Sequence, residues 1–166
     1  MRVLGIDPGV AATGFGVVEG PATRPRLLEC GVIRPARGGS LAARLLEIHD
    51  GVAGVIDRRG PTSLAVEGVF YRENPRSAVI LAHARGVVLL AGASRGLEVS
   101  EHSPAEIKKA VVGTGRATKE QVGWMVQKLL GLSRAPEPAD AADACAAALC
   151  RLLAGPLGPD GRGAAG

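Results

Sequence analysis

With 166 residues and a formal net charge of +4, the chain fits one domain long enough to bury a core without disulfides or a structural metal. Nearly half of it is apolar but only Phe15, Phe70, Tyr71 and Trp124 are aromatic, so the core must be aliphatic. Cys30, Cys145 and Cys150 are odd in number and lack metal-type spacing, no uninterrupted apolar run reaches the ~20 residues of a bilayer span, and no secretory signal opens the chain; the expectation is a soluble cytoplasmic protein with small buried, reduced thiols.

The first third reads as three strands, Arg2–Asp7, Gly14–Glu19 and Arg26–Ile33, with glycines at the tight pairings. Ser40 caps a helix whose Leu41, Leu45, Ile48, Val52, Val55 and Ile56 recur at helical spacing up to Gly60-Pro61. Ser63–Gly68 is a short buried strand. Asn74-Pro75 starts a helix, apolar over much of its circumference, that runs to Ala93. Leu97–Ser100 is a fifth strand. Ser103-Pro104-Ala105-Glu106 is a capping box opening a helix to Val112; Thr118–Leu130 and Asp140–Leu153 are two more helices. The Gly-, Pro- and Ala-rich tail over 156–166 is expected to be disordered, leaving 1–155 as the domain. This order predicts a mixed five-stranded α/β domain, with three antiparallel strands followed by two parallel ones joined through a right-handed crossover.

Four acids stand out. Asp7 ends the first apolar run at a Pro-Gly turn, Glu67 ends the run Leu64-Ala65-Val66, and Asp140 and Asp143 share one face of a small-residue helix. Each has an ordinary reading, as a turn former, an N-cap or a first-turn acid. Glu67 is the hardest to dismiss, because an acid after a buried strand must be paired, neutral or bound to metal. Together they suggest oxygen ligands for a pair of magnesium ions, the arrangement that cuts phosphodiesters by in-line displacement.

Two of the four rings stand side by side as Phe70-Tyr71, flanked by Arg72 and Arg76, which suits stacking on an unpaired base beside phosphates; a Phe folded onto the core is the alternative. All four lysines, Lys108, Lys109, Lys119 and Lys128, fall in one stretch with Arg116, and Gly113-Thr114-Gly115-Arg116 joins the two helices that carry them. That reads as a phosphate-binding edge or, alternatively, as a solvated helix face. His49 and His83 read as helix-surface residues.

In this order, the stretches V-L-G-I-D-P-G, T-G-F-G, A-V-E-G-V-F, N-P-R-S-A, A-R-G-V, I-K-K-A-V-V-G-T-G-R-A-T-K-E-Q-V and D-A-A-D-A resemble the RuvC family of bacterial Holliday junction resolvases over nearly the full length. The resemblance implies a ribonuclease H-like fold and a homodimer in which each subunit nicks one of two opposed strands of four-way junction DNA with magnesium. The expected products are 5′-phosphate and 3′-hydroxyl ends. Asp7, Glu67, Asp140 and Asp143 fall on the family's four metal-binding acids, Phe70 on its junction-contacting aromatic, and Lys108 and Lys119 on its functional lysines. Tyr71, Arg72, Arg76, Lys109 and Arg116 are expected as further DNA contacts. Two Mg2+ per site, replaceable by Mn2+, and a RuvA-RuvB branch-migration partner complete the expectation. Tyr71 and Trp124 receive no role from the resemblance. Asp7-Pro8-Gly9 also suits the phosphate hairpin of actin-like ATPases, but those enclose ATP between two domains and this chain supplies one. A ribosomal-RNA-processing nuclease of a related fold is the nearest enzymatic rival, and a non-enzymatic junction binder leaves the acids unexplained.

Overall fold

The structure, a computed structural model, describes residues 1–68 and 75–155. Ten elements follow in chain order: β1 (Arg2–Asp7), β2 (Thr13–Glu19), β3 (Arg26–Ile33), α1 (Leu41–Arg59), β4 (Ser63–Glu67), α2 (Pro75–Ala93), β5 (Glu98–His102), α3 (Pro104–Val112), α4 (Lys119–Leu129) and α5 (Ala139–Leu153). The sheet has the order β3-β2-β1-β4-β5; β1–β2 and β2–β3 are antiparallel and β1–β4 and β4–β5 parallel, the directions that the element order predicts. The caps read from the sequence form: Ser40 accepts from the Ala43 N–H, and the Ser103/Glu106 and Thr118/Gln121 boxes are both reciprocal. All three cysteines are free thiols, Cys145 and Cys150 buried and Cys30 half-buried.

β5 departs from its expected span. It begins at Glu98 rather than Leu97 and continues two residues past Ser100 to His102. Charged residues look like loop in a sequence, yet an edge strand tolerates them when each has a partner. Glu98 pairs with Arg151 of α5 at 2.9 Å, and Glu101 pairs with Arg85 of α2. The extension puts His102 in register beside Glu67.

Each face of the sheet carries its own core. Leu4, Ile6, Val17, Leu64 and Val66 point to α1 and α2, meeting Ile48, Val52, Val55, Ala84, Val88 and Ala91. Val3, Val18 and Ala65 point to α5, which is buried between the sheet and the pair α3–α4. Strand alternation therefore turns Gly5 and Asp7 of β1 toward α5 as well.

The seat of α5 depends on missing side chains. A Cβ at Gly5 would lie 2.0 Å from the Ala144 carbonyl oxygen and 2.5 Å from the Ala148 nitrogen; one at Gly14 would lie 2.0 Å from the Asp140 carbonyl oxygen. The helix answers with alanines, and Ala141, Ala144, Ala147 and Ala148 are all buried. Backbone therefore packs on backbone, closer than branched side chains permit.

Among the described residues, α2 has the length and mean hydropathy (1.3) of a membrane-crossing helix. In this fold its Ala84, Val88 and Ala91 belong to the core, while Val79 and Leu90 on other faces are 56% and 60% exposed.

Candidate active site

The C-terminal ends of β1 and β4 meet the N-termini of α3, α4 and α5 around a cavity of about 750 Å³. Asp7, Glu67, Asp140 and Asp143 all line it, so the structure brings together the four acids singled out from the sequence. Asp7 and Glu67 arrive as last residues of neighbouring parallel strands. Asp140 and Asp143 arrive on the first turns of α5, held against β1 and β2 by the close approach at Gly5 and Gly14. Asp140 is not the cap of its helix: Pro138 occupies that position, without a side-chain hydrogen bond.

The electrostatics follow from the packing. The Asp7 carboxyl is pushed up to about 7, first by burial, then by the negative charges of Glu67, Asp143 and Asp140, with Lys119 pulling the other way. The Lys119 ammonium donates to Asp143 Oδ2 at 3.0 Å, and this contact raises it above the ordinary lysine range, with Asp7 and Glu67 adding to the shift.

These residues fit divalent metal. All four are hard oxygen donors of the kind magnesium takes, their mutual repulsion calls for positive charge, and the Lys119 ammonium stands where a cation is wanted. Among the described residues no three Asp, Glu, His or Cys side chains already converge into a closed ligand set.

The DNA-contact candidates divide. Lys108 and Lys119 line the cavity. Lys109 and Arg116 are exposed on and after α3, and Arg76 is exposed at the start of α2; the cavity lining includes none of the three. Phe70, Tyr71 and Arg72 lie outside the described residues, as do the helix start at Asn74 and the tail over 156–166. His102, beside Glu67 in the sheet, is held below the usual imidazole range chiefly by burial, with its Nε2 3.1 Å from Ser100 Oγ. Trp124 is 56% exposed on α4, with Lys128 Nζ 5.5 Å from its ring centroid. The cavity also gains Ser77 of α2, from the N-P-R-S-A stretch, and two residues that carry no sequence signal, Arg44 of α1 and Ile80 of α2. One arginine among sixteen, on an ordinary amphipathic helix, gives nothing to read until the fold places it.

A family model described as crossover junction endodeoxyribonuclease RuvC matches residues 3–151. Over 157 residues, 94% of this chain, the sequence is 49% identical to the crossover junction endodeoxyribonuclease RuvC of Frankia alni (80% of that protein). It is 50% identical to that of Parafrankia sp. (88% of that protein) over the same share of the chain. The solved structure of Thermus thermophilus RuvC in complex with Holliday junction substrate superposes with a TM-score of 0.88 at 38% identity, covering 92% of this chain and 93% of that one.

Proposed function

The chain belongs to the RuvC family of crossover junction endodeoxyribonucleases, and from that premise we propose how its own residues carry the reaction. It is a structure-selective DNA endonuclease that resolves Holliday junctions in recombination and repair. Nucleases of this family are metal-dependent. Asp7, Glu67, Asp140 and Asp143 hold two magnesium ions per active site, with manganese able to substitute. When bound, the ions supply Lewis-acid stabilisation of charge in an in-line displacement that leaves 5′-phosphate and 3′-hydroxyl ends.

The protein's part is to build that site and bring a phosphate to it. The observation that carries the reading is the convergence of all four acids with Lys108 and Lys119 on one cavity. β1 and β4 hold Asp7 and Glu67 at fixed strand ends, and α5 sets the other two acids against them. The Lys119 ammonium restrains Asp143 and, with Lys108, draws the DNA backbone into a site whose own charge repels it. Phe70 stacks on bases unpaired at the crossover, with Tyr71, Arg72, Arg76, Lys109 and Arg116 as outer contacts. The enzyme works in the cytoplasm, on junctions brought by a RuvA-RuvB branch-migration complex.

The salt dependence of junction binding tests the basic edge. Lys108→Ala and Lys119→Ala should each weaken binding and reduce the slope of log K against log salt by about one per lost phosphate contact. An unchanged slope in both variants would return these lysines to the solvated surface.

Two nicks in opposed strands require two sites related by a twofold axis, so the chain acts as a homodimer joined along the outer face of α2. Val79 and Leu90 are apolar and exposed on that face, where a second copy would cover them. Val88 is fully buried in the core and Leu81 is half-buried in the cavity wall, so charge at either would report on folding or the site instead. The wild-type protein should sediment as a dimer at micromolar concentration and Leu90→Glu as a monomer with unchanged circular dichroism. A monomeric wild type would contradict this interface.

A further inference from the structure

Arg44 sits in the second turn of α1, on the sheet face opposite α5, yet it reaches the active-site cavity. Its Nη2 donates to the Val10 carbonyl oxygen at 2.6 Å. Val10 is buried in the α1–α2 core and belongs to the turn that directly follows Asp7, whose residues Pro8 to Ala12 form a wall of the cavity. The guanidinium is therefore fixed at one corner to that turn, and Arg44 is among the residues that line the cavity. Among the described residues no carboxylate pairs with it, whereas Arg2, Arg58, Arg85, Arg95 and Arg151 each grip one. A guanidinium has five N–H donors in a planar fork, and the contact to Val10 uses one.

A cation with spare donors, tethered at the rim of a phosphodiesterase site and paired with no acid among the described residues, is suited to a backbone phosphate. Lys108 offers the same charge from α3, beyond the other face of the sheet. We infer that Arg44 is a phosphate-binding residue of this site: tethered to the turn after Asp7, it takes a backbone phosphate neighbouring the scissile one, on the flank opposite Lys108. The two cations would then hold the cut strand on either side of the four acids. This inference rests on the cavity being the nuclease site.

The test is junction binding in chelator, so that no divalent ion and no cutting enter. Arg44→Ala should bind about tenfold more weakly or worse near physiological salt, and its log–log salt slope should shrink by about 0.9. Junctions carrying one uncharged methylphosphonate, walked along the phosphates beside the cut site, locate the contact. At one position the wild type should lose as much as Arg44→Ala loses, and Arg44→Ala should lose nothing more, the non-additivity expected of direct partners. Arg44→Lys should keep the slope, because it keeps the charge, while cutting more slowly for want of the fork. If Arg44→Ala does not fold, Arg44→Gln, whose amide can still donate to Val10, takes its place in both measurements. An unchanged slope together with additivity at every methylphosphonate would overturn the inference and leave Arg44 as a staple of the turn. Full-rate cutting by amide variants of the four acids would instead remove the nuclease site itself, an outcome that the Arg44 binding data do not depend on.

Discussion

Asp7→Asn should bind four-way junctions as well as the wild type does and fail to cut them. Replacing one acid by its amide removes a ligand charge while keeping shape, and the loss is at least several kcal/mol of transition-state stabilisation, roughly a thousandfold in rate. Glu67→Gln, Asp140→Asn and Asp143→Asn should behave alike, because all four line one cavity. Asp7→Asn carries a second signature that needs no substrate. The Asp7 carboxyl titrates near 7 in the folded protein against an ordinary 3.8, so the folded state holds its proton where the unfolded chain has released it. A raised carboxyl pKa stabilises the fold fully below the unfolded value and loses that contribution as pH rises from about 4 to 7. In chelator, the wild type should therefore lose stability over that window relative to Asp7→Asn, by an amount on the order of a few kcal/mol, and divalent metal should restore it at pH 8. Parallel stability–pH curves for the two proteins would mean that Asp7 is not buried among like charges as described.

Gly14→Ala should damage both the fold and the site. Its Cβ would lie 2.0 Å from the Asp140 carbonyl oxygen and 3.1 Å from the Asp140 Cβ, and backbone cannot give way as a side-chain tip can. Either α5 shifts or β2 does. Overpacking of this kind costs about 3 kcal/mol or more, which in a chain of this size lowers the melting temperature by roughly 6–12 °C. Folded molecules would carry Asp140 displaced from Asp7, and a displacement of about 1 Å in a catalytic constellation costs roughly a hundredfold in rate. Gly5→Ala should destabilise similarly through Ala144 and Ala148, farther from the acids. Gly123→Ala is the control. Nothing lies within 4 Å of its Cβ position and it sits inside α4, so it should stabilise by about 0.4–1 kcal/mol. Wild-type melting and cutting by Gly14→Ala would mean that α5 is not seated on β2 in this way.

That contact marks the border of what the sequence reveals. Apolar runs and caps are local signals, so β1, β3, α1, α3 and α4 are legible to within a residue, and the acids at strand and helix ends are visible as unusual. The strand directions follow from element order, whereas the place of β4 beside β1 does not. The match of Gly5 to Ala144 and Ala148 spans most of the chain, and no periodicity announces it. The end of β5 is misread because Glu101 looks like loop until Arg85 supplies its partner. The apolar circumference of α2 announces two buried faces without saying which residue faces which, and Val88 falls to the core while Leu90 stays outside. Arg44 is invisible before folding, since its meaning comes from the turn it holds.

The central claim is that one cavity, built from four acids and a basic edge, cuts branched DNA. The most direct measurement incubates the protein with end-labelled four-way junction, linear duplex of the same sequence and single-stranded RNA, with and without magnesium, and maps each cut strand by strand. The account predicts paired nicks in two opposed strands of the junction only, dependent on magnesium, with ends that a ligase seals without processing. Cutting of the duplex or the RNA at a rate equal to the junction, or undiminished junction cutting in chelator, would contradict it.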